Sequence, residues 1–334
     1  MRRISFIVLA MMAAPGVAWP DDQQSGFEIG GLLFGDLYHI PSHHRPEGDG
    51  ATGAALRRGY LTFDAASDSG WFGRLRFEVN QSGEFETYDF EADFKDFYVG
   101  YGLEQHEITL GLQPTPTFDV IESLWGLRYL MRTPADLQGV PSRDTGVSLK
   151  GQINSEWSYR VMLGAGLDFG AESGDGHSAM GAVNWKLDDR WMLDFYLDRE
   201  RRPGSTDTTT AQVFAGYQGE GIRFGAQYIY RDRETNAPGE LASVFLVRNG
   251  GRGSSLIGRI DRIMEPSPKG DNISYIPFDP RSRATMLLAG FEYAASEHLR
   301  ITPNTVVISY DRNDEGIRPE TDVFLRLTLF FDFE

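Results

Sequence analysis

The chain contains no cysteine, which excludes disulfides and cysteine-ligated zinc or iron–sulfur centres. Long apolar runs are almost as scarce. The one sustained run lies at the extreme N-terminus, and mean hydropathy is −0.34. A bundle of membrane helices needs several runs of about 20 apolar residues, so a helical transporter is excluded. Positive charge is in deficit: 32 Lys and Arg stand against 48 Asp and Glu, a formal net charge of −16. That balance argues against a general nucleic-acid binder. Glycine (38 residues) and aromatic side chains (13%) are abundant, the composition of many short, turn-punctuated strands. A chain of 334 residues is compatible with two domains or with one large all-β barrel.

Met1-Arg2-Arg3 supplies a positive segment, Ile4 to Ala14 an apolar one, and Gly16-Val17-Ala18 a small-residue cleavage site. The apolar stretch is too short to span a bilayer, so residues 1–18 read as a secretory signal peptide cleaved after Ala18. Residues 19–334 are then one exported domain.

Several segments alternate with period two. Trp71, Leu75, Phe77 and Val79 share one face, opposite Arg74, Arg76, Glu78 and Asn80. Trp157, Tyr159, Val161 and Leu163 oppose Ser158 and Arg160. Near the C-terminus, Val323, Leu325, Leu327, Leu329, Phe331 and Phe333 oppose Arg326, Thr328 and Asp332. Such strands suit either a soluble sandwich with its apolar faces inside or a membrane barrel with its apolar face on lipid. Three features favour the barrel. Apolar runs begin or end on Trp71, Trp157, Trp185, Trp191, Tyr217, Tyr230 and Tyr293, as interfacial aromatic girdles require. The segments run about 9–11 residues, the length a tilted strand needs to cross a bilayer. No break in the pattern marks a second domain.

The pattern predicts strands near 27–38, 54–65, 71–81, 90–101, 106–113, 144–151, 157–166, 178–187, 191–198, 209–218, 222–230, 240–248, 254–263, 284–293, 299–310 and 322–333. The predicted fold is therefore an all-β, antiparallel transmembrane barrel of about sixteen strands. Its connections alternate in length. His39–Thr52, Pro114–Arg143, Leu167–His177, Met264–Arg283 and Asp311–Thr321 are long, whereas Ala66–Gly70, Gly102–Gln105, Asp188–Arg190 and Gly219–Gly221 are short. Long external loops and short periplasmic turns produce that alternation. Apolar parity switches near Lys95-Asp96, and Pro303 interrupts Leu299–Tyr310, so a bulge is expected at each place.

The segment Pro114–Arg143 is too long for a structureless connection. Val120, Leu124, Leu127 and Met131 recur at helical spacing, and Pro134 and Pro141 are expected to end the run. Its position after the fifth strand suits a third external loop folded into the lumen as a constriction. An external helical cap that contacts a neighbour is the alternative.

Arg57-Arg58-Gly59-Tyr60-Leu61, Phe94-Lys95-Asp96-Phe97-Tyr98-Val99-Gly100-Tyr101, Leu110-Gly111-Leu112 and Pro141-Ser142-Arg143-Asp144-Thr145-Gly146-Val147-Ser148-Leu149 follow in order. Together they resemble successive blocks of the phosphate-selective porin O/P family, most clearly across residues 54–151. The resemblance implies a sixteen-stranded, trimeric outer-membrane channel. The family usually carries a Lys three residues after the glycine aligned with Gly111 and a Pro two beyond. Here Pro114 occupies the Lys position and Pro116 matches, and Glu334 follows the terminal aromatic Phe333. The resemblance therefore does not by itself establish phosphate selectivity.

In a pore, selectivity comes from charge at close quarters. The pattern places Arg58, Arg74, Arg76, Lys95, Lys150 and Arg160 on the lumen face. Asp119, Glu122, Arg128 and Arg132 lie in the long loop, and Arg143 at its exit. Basic residues on the early strands facing Asp119 and Glu122 would set up a transverse field; ordinary pairing within a wet lumen is the competing expectation. Acids also crowd predicted external loops at Glu84, Glu86, Asp89, Asp168, Glu172, Asp175, Asp311, Asp314, Glu315, Glu320 and Asp322. They could hold divalent cations near lipopolysaccharide, although none of their spacings is that of a calcium loop and a solvated surface accounts for them. His39, His43 and His44 cluster near Glu47 and Asp49, and a hydrophilic loop accounts for them without a metal. No Ser/His/Asp arrangement or glycine-rich phosphate loop stands out, so neither catalysis nor a cofactor is expected. The expected function is passive diffusion of small hydrophilic solutes or anions across a bacterial outer membrane. A barrel lipid hydrolase and a plugged adhesion barrel are the alternatives.

Overall fold

The computed structural model describes residues 26–81, 90–166, 176–201, 206–233, 236–251, 253–267, 269–273 and 275–333. The predicted signal peptide lies outside the described residues, as do Glu84, Glu86, Asp89, Asp168, Glu172 and Asp175. Sixteen strands run through the described residues. They are β1 (Gly26–Ser42), β2 (Thr52–Ala66), β3 (Trp71–Gln81), β4 (Phe90–Leu103), β5 (His106–Pro114), β6 (Arg143–Gln152), β7 (Trp157–Gly164) and β8 (His177–Lys186), followed by β9 (Trp191–Arg201), β10 (Thr208–Gly219), β11 (Ile222–Arg233), β12 (Asn236–Asn249), β13 (Ser254–Ile263), β14 (Ala284–Ala294), β15 (Leu299–Tyr310) and β16 (Asp322–Phe333). Each pairs antiparallel with its sequence neighbours, and β1 pairs with β16, so the sheet closes into a barrel without edges.

The expected strands are present, several of them longer than the sequence pattern marks. β1 continues to Ser42, which places His39 in a strand beside Thr52 instead of in a loop. Two short helices, α1 (Asp119–Trp125) and α2 (Pro134–Leu137), lie between β5 and β6. No helix among the described residues is long and apolar enough to cross a membrane.

The outer face carries exposed large apolar side chains on all the strands but β15, among them Leu37, Leu61, Phe97, Leu110, Leu163, Leu197, Leu246 and Leu256. In water such a surface is untenable; against lipid it is the stable one. Beside the short turns, aromatic rings pair across neighbouring strands. Trp157 stacks on Trp185 at 5.0 Å, and Trp71–Tyr101 and Trp191–Tyr217 meet at 5.0 and 4.9 Å. These pairs form a belt at one end of the barrel, where an amphipathic ring bridges hydrocarbon and water.

The register shifts at four places among the described strands, and two of these bulges each turn an extra cation inward. Between β3 and β4, Arg76 pairs with Asp96 and Phe77 with Phe94, leaving Lys95 as the unpaired residue. Lys95 and Asp96 are consequently both buried inside the barrel. Between β1 and β2 the register shifts from Phe34–Arg58 to Gly35–Leu56, so Arg57 is the extra residue. The first bulge was anticipated; the second was not. At Pro303 the anticipated bulge is absent. Gly290 pairs with Asn304 and Tyr293 with Ile301, one continuous register, so the missing N–H costs a local rung and no shift.

The interior is not uniformly polar. Phe214, Phe245, Val247, Ile257, Met286, Leu288, Val306, Ile308 and Phe324 point inward from β10 and β12–β16 and are buried. They form one apolar core with residues of the β5–β6 connection. Strands apolar on both faces lose period-two contrast, as the run Val244-Phe245-Leu246-Val247 of β12 does.

Candidate functional site: a segment across the lumen

The β5–β6 connection touches inward-facing side chains on nine strands. Leu124 and Trp125 pack against Gly216 and Phe245, with Trp125 and Phe245 ring centres 5.0 Å apart. Tyr129 meets Phe330 at 4.7 Å, its hydroxyl donates to Glu292, and Thr302 lies 3.3 Å away. Contacts with β2, β7 and β10–β16 together place the segment inside the ring.

Its irregular backbone leaves carbonyls without secondary-structure partners, and buried carbonyls must be satisfied. Wall side chains do this. Arg57 of β2 donates to the carbonyls of Tyr129 and Leu130. Arg160 of β7 donates to Pro114 O at 2.6 Å, Arg231 of β11 to Gly139 O at 2.9 Å, and Arg259 of β13 to Arg132 O at 2.7 Å. Gln212 of β10 reaches Thr117 O at 3.0 Å. Several of these arginines also carry a carboxylate partner: Asp36 for Arg57, Glu200 for Arg231 and Asp261 for Arg259.

The helical run ends earlier than its spacing suggests. α1 stops at Trp125 because Gly126 adopts φ 64°, and its N–H caps the carbonyl of Glu122. Leu127 and Met131 lie beyond the helix yet are buried in the same core. Pro134 does not end a helix; it begins α2, where its missing N–H is harmless.

Along the β2–β4 wall the cations are paired. Arg74 makes two hydrogen bonds to Asp64, at 2.7 and 2.8 Å. Glu78 is shared by Lys95 at 3.1 Å and Arg58 at 3.5 Å, and Asp96 by Arg143 at 2.5 Å and Arg76 at 3.3 Å. Lys150 stands apart near the short turns, paired with Glu107 at 3.5 Å.

The loop acids are neutralised from other directions than expected. Asp119 pairs with Arg160 of β7 at 2.6 Å, and Glu122 pairs with Arg128 of its own loop. The loop acid that shares a cavity with Arg58 and Lys95 is Asp136, which no sequence pattern singled out. Arg128 donates to it at 2.5 Å, and Arg132 lies 3.5 Å away. Burial would push the Asp136 carboxyl up, but Arg128 and then Arg132 outweigh it and hold it well below the usual range. Burial likewise opposes charge on Arg128, and Asp136 and Glu122 outweigh it, so its guanidinium stays protonated.

Between this loop and the early strands lies a polar cavity of about 270 Å³. Arg58, Lys95, Arg128, Arg132 and Lys269 line it, against the acids Glu78, Asp93 and Asp136. Lys269 comes from the β13–β14 connection, a contact that no local sequence signal announces.

A closed sixteen-strand antiparallel barrel with a long segment after β5 lying in its interior is a specific architecture. It is the porin fold. An anion-selective porin from Comamonas acidovorans superimposes with a TM-score of 0.67 at 12% identity, covering 93% of this chain and all of that one. Salmonella typhi OmpF, solved with daunomycin, gives 0.68 at 12% identity over 92% and 98% of the two chains. OmpT, an outer-membrane protein of Vibrio cholerae solved in a trimer form, gives 0.62 at 12% over 92% and 99%. No family model and no curated protein sequence matches the chain.

Proposed function

We propose that this protein is an outer-membrane porin: a passive, water-filled channel for small hydrophilic solutes, with a preference for anions. The observation that carries the reading is the polar cavity beside the inserted segment, where five cations face three acids inside a porin-fold barrel. Solute movement down a gradient needs no catalytic group. Mechanism reduces to the width left beside residues 115–142 and to the fixed charge that a dehydrating ion meets there. Arg58, Arg74, Arg76, Lys95, Arg128, Arg132, Arg143, Arg160 and Lys150, with Asp119 and Glu122, are the side chains assigned to this path.

The barrel sits with its short turns in the periplasm and its long loops outside, among lipopolysaccharide. It is exported by a cleaved signal peptide and assembles as a homotrimer. The trimer form of OmpT and the resemblance to phosphate-selective porins support this assembly, and the same resemblance makes phosphate one of the candidate anions.

Purified protein in planar bilayers is expected to give stepwise conductance, with a reversal potential across a salt gradient on the anion-selective side. Neutralising Arg74, Arg76 and Lys95 together should move that potential toward cation selectivity. The absence of conductance steps defeats the proposal and favours a plugged structural barrel. That second reading draws its support from the apolar core that packs the inserted segment onto β10 and β12–β16.

A further inference from the structure

At the long-loop end, the seam where the barrel closes carries a cluster unrelated to the polar cavity. His43 and His44 follow directly on β1, and Asp322 opens β16, the strand that pairs with β1. One ligand atom from each of the three lies within 4.8 Å of the others, the one such group of histidines, cysteines and acids among the described residues. All three are withdrawn from water. His43 is 3% exposed, and the side chains of His44 and Asp322 are 7% and 0% exposed.

The polar atoms of this cluster are incompletely satisfied as they stand. The Nε2 atoms of both histidines are buried with no hydrogen-bond partner among the described residues. A buried ring nitrogen left in that condition is destabilising and demands a physical reason. Meanwhile the other contacts are those that orient ligands. His43 Nδ1 accepts the backbone N–H of Arg45 at 3.0 Å and lies 3.3 Å from the Arg45 carbonyl, so as it stands the ring carries its proton on the partnerless Nε2. Asp322 is held by the backbone N–H of His44 at 2.6 Å and by the Tyr310 hydroxyl at 2.5 Å. Gly48 is required for the arrangement, since a Cβ there would meet the His43 ring at 2.7 Å.

We propose that His43, His44 and Asp322 form a structural site for a late first-row divalent cation, zinc in the first instance. Two imidazoles and a carboxylate are the donor set such ions prefer over calcium or magnesium, which take oxygen ligands. His44 Nδ1 and Asp322 Oδ2 are 2.9 Å apart. Adjacent ligands on a tetrahedral ion with bonds of about 2.0 Å lie about 3.3 Å apart, so a small separation turns this hydrogen bond into two metal bonds. On binding, the ion takes the place of the His44 Nδ1 proton, and that ring keeps one proton on Nε2 by exchange with solvent. The His43 proton moves from Nε2 to Nδ1, facing the Arg45 carbonyl, and frees Nε2 for the ion, so the ion relieves the unpartnered Nε2 of His43 only. A solvent molecule completes the fourth position. Arg45 does not compete, because Asp271 pairs with it at 2.7 Å. The bound ion staples the first external loop to the last strand, at the top of the β1–β16 seam.

The test uses the full folded chain in detergent, with heat-modifiable gel migration as the check of folding. Isothermal titration with zinc chloride should show one site per chain, and zinc should raise the thermal midpoint while a chelator reverses the rise. His43→Ala and His44→Gln should each weaken that site at least tenfold, while His39→Ala, at a histidine outside the cluster, leaves it unchanged. Cobalt(II) added to the wild-type chain should develop the intense visible bands of a four-coordinate nitrogen–oxygen site, a readout that needs no variant to fold. Overturning results are a wild-type chain that binds no stoichiometric zinc, a site undiminished in both histidine variants, or a cobalt spectrum no different from the aqueous ion.

Discussion

Arg259 joins two ends of the barrel's internal architecture: its Nη1 donates to the backbone carbonyl of Arg132 at 2.7 Å, and its guanidinium lies 5.3 Å from the Trp125 ring centre. Asp261 holds the same guanidinium from behind at 2.6 Å. A strand arginine thus serves as a bracket for a segment that has little secondary structure of its own. Arg57, Arg160 and Arg231 repeat the device from three other strands. An Arg fork suits the task because it can give one N–H to a carbonyl and others to a carboxylate at once.

Removing one bracket should loosen the segment. Arg259→Met leaves the buried Asp261 with the Ser243 hydroxyl but without its cationic partner, so a loss of about 3–5 kcal/mol is expected on urea unfolding. In bilayers the same variant should show larger and noisier conductance steps than wild type. Steps identical in size would mean that Arg259 does not hold the constriction.

The bulge at Lys95 makes a prediction about deletion. Removing Lys95 takes out the one unpaired residue of β4, so the barrel should still fold with the remaining register intact. Deleting Val99 instead flips the apolar face of half a strand inward, and gel migration should reveal misfolded protein. The Lys95 deletion should keep conductance and lose part of the anion preference.

Gly126 is the hinge between α1 and the rest of the loop. At φ 64°, Gly126→Ala costs about 1–2 kcal/mol in backbone strain alone. The new methyl would also lie 2.5 Å from Arg223 Nη1, so that guanidinium must move. Urea unfolding should show the loss, and bilayer recordings should show a change in step size.

Asp136 predicts a pH dependence with a definite sign. Its folded-state carboxyl is held below the ordinary range, chiefly by Arg128 against the opposing effect of burial. Its ionised form therefore stabilises the folded state at every pH above ~4. Comparing wild type with Asp136→Asn by urea unfolding, the difference should be constant from pH 8 to about 5. It should then shrink as pH falls below ~4, through the depressed folded value. A difference that grows on acidification would contradict this assignment.

The polar–apolar alternation of β3, β7 and β16 was enough to give strand positions and which face meets lipid, because one face of a membrane strand must be apolar along its whole length. The Lys95 bulge was legible for the same reason, as a parity slip. Arg57 was not: alternation puts Arg58 on the lumen face and Arg57 on the opposite one, and only the register of β1 against β2 turns both in. The inward helix was visible in the spacing of Val120 and Leu124, yet its end depended on the backbone conformation of Gly126.

Charge partners were the least readable feature. That Asp119 finds Arg160, that Lys269 enters the cavity, and that His43 and His44 meet Asp322 are contacts between residues about 40 to 280 positions apart. Sequence by itself determined the barrel, its strand count and its lipid-facing surface, because period and length are local properties of the chain. Tertiary structure alone decided the filling of the lumen, since which side chains meet across a closed ring depends on the register of every strand around it.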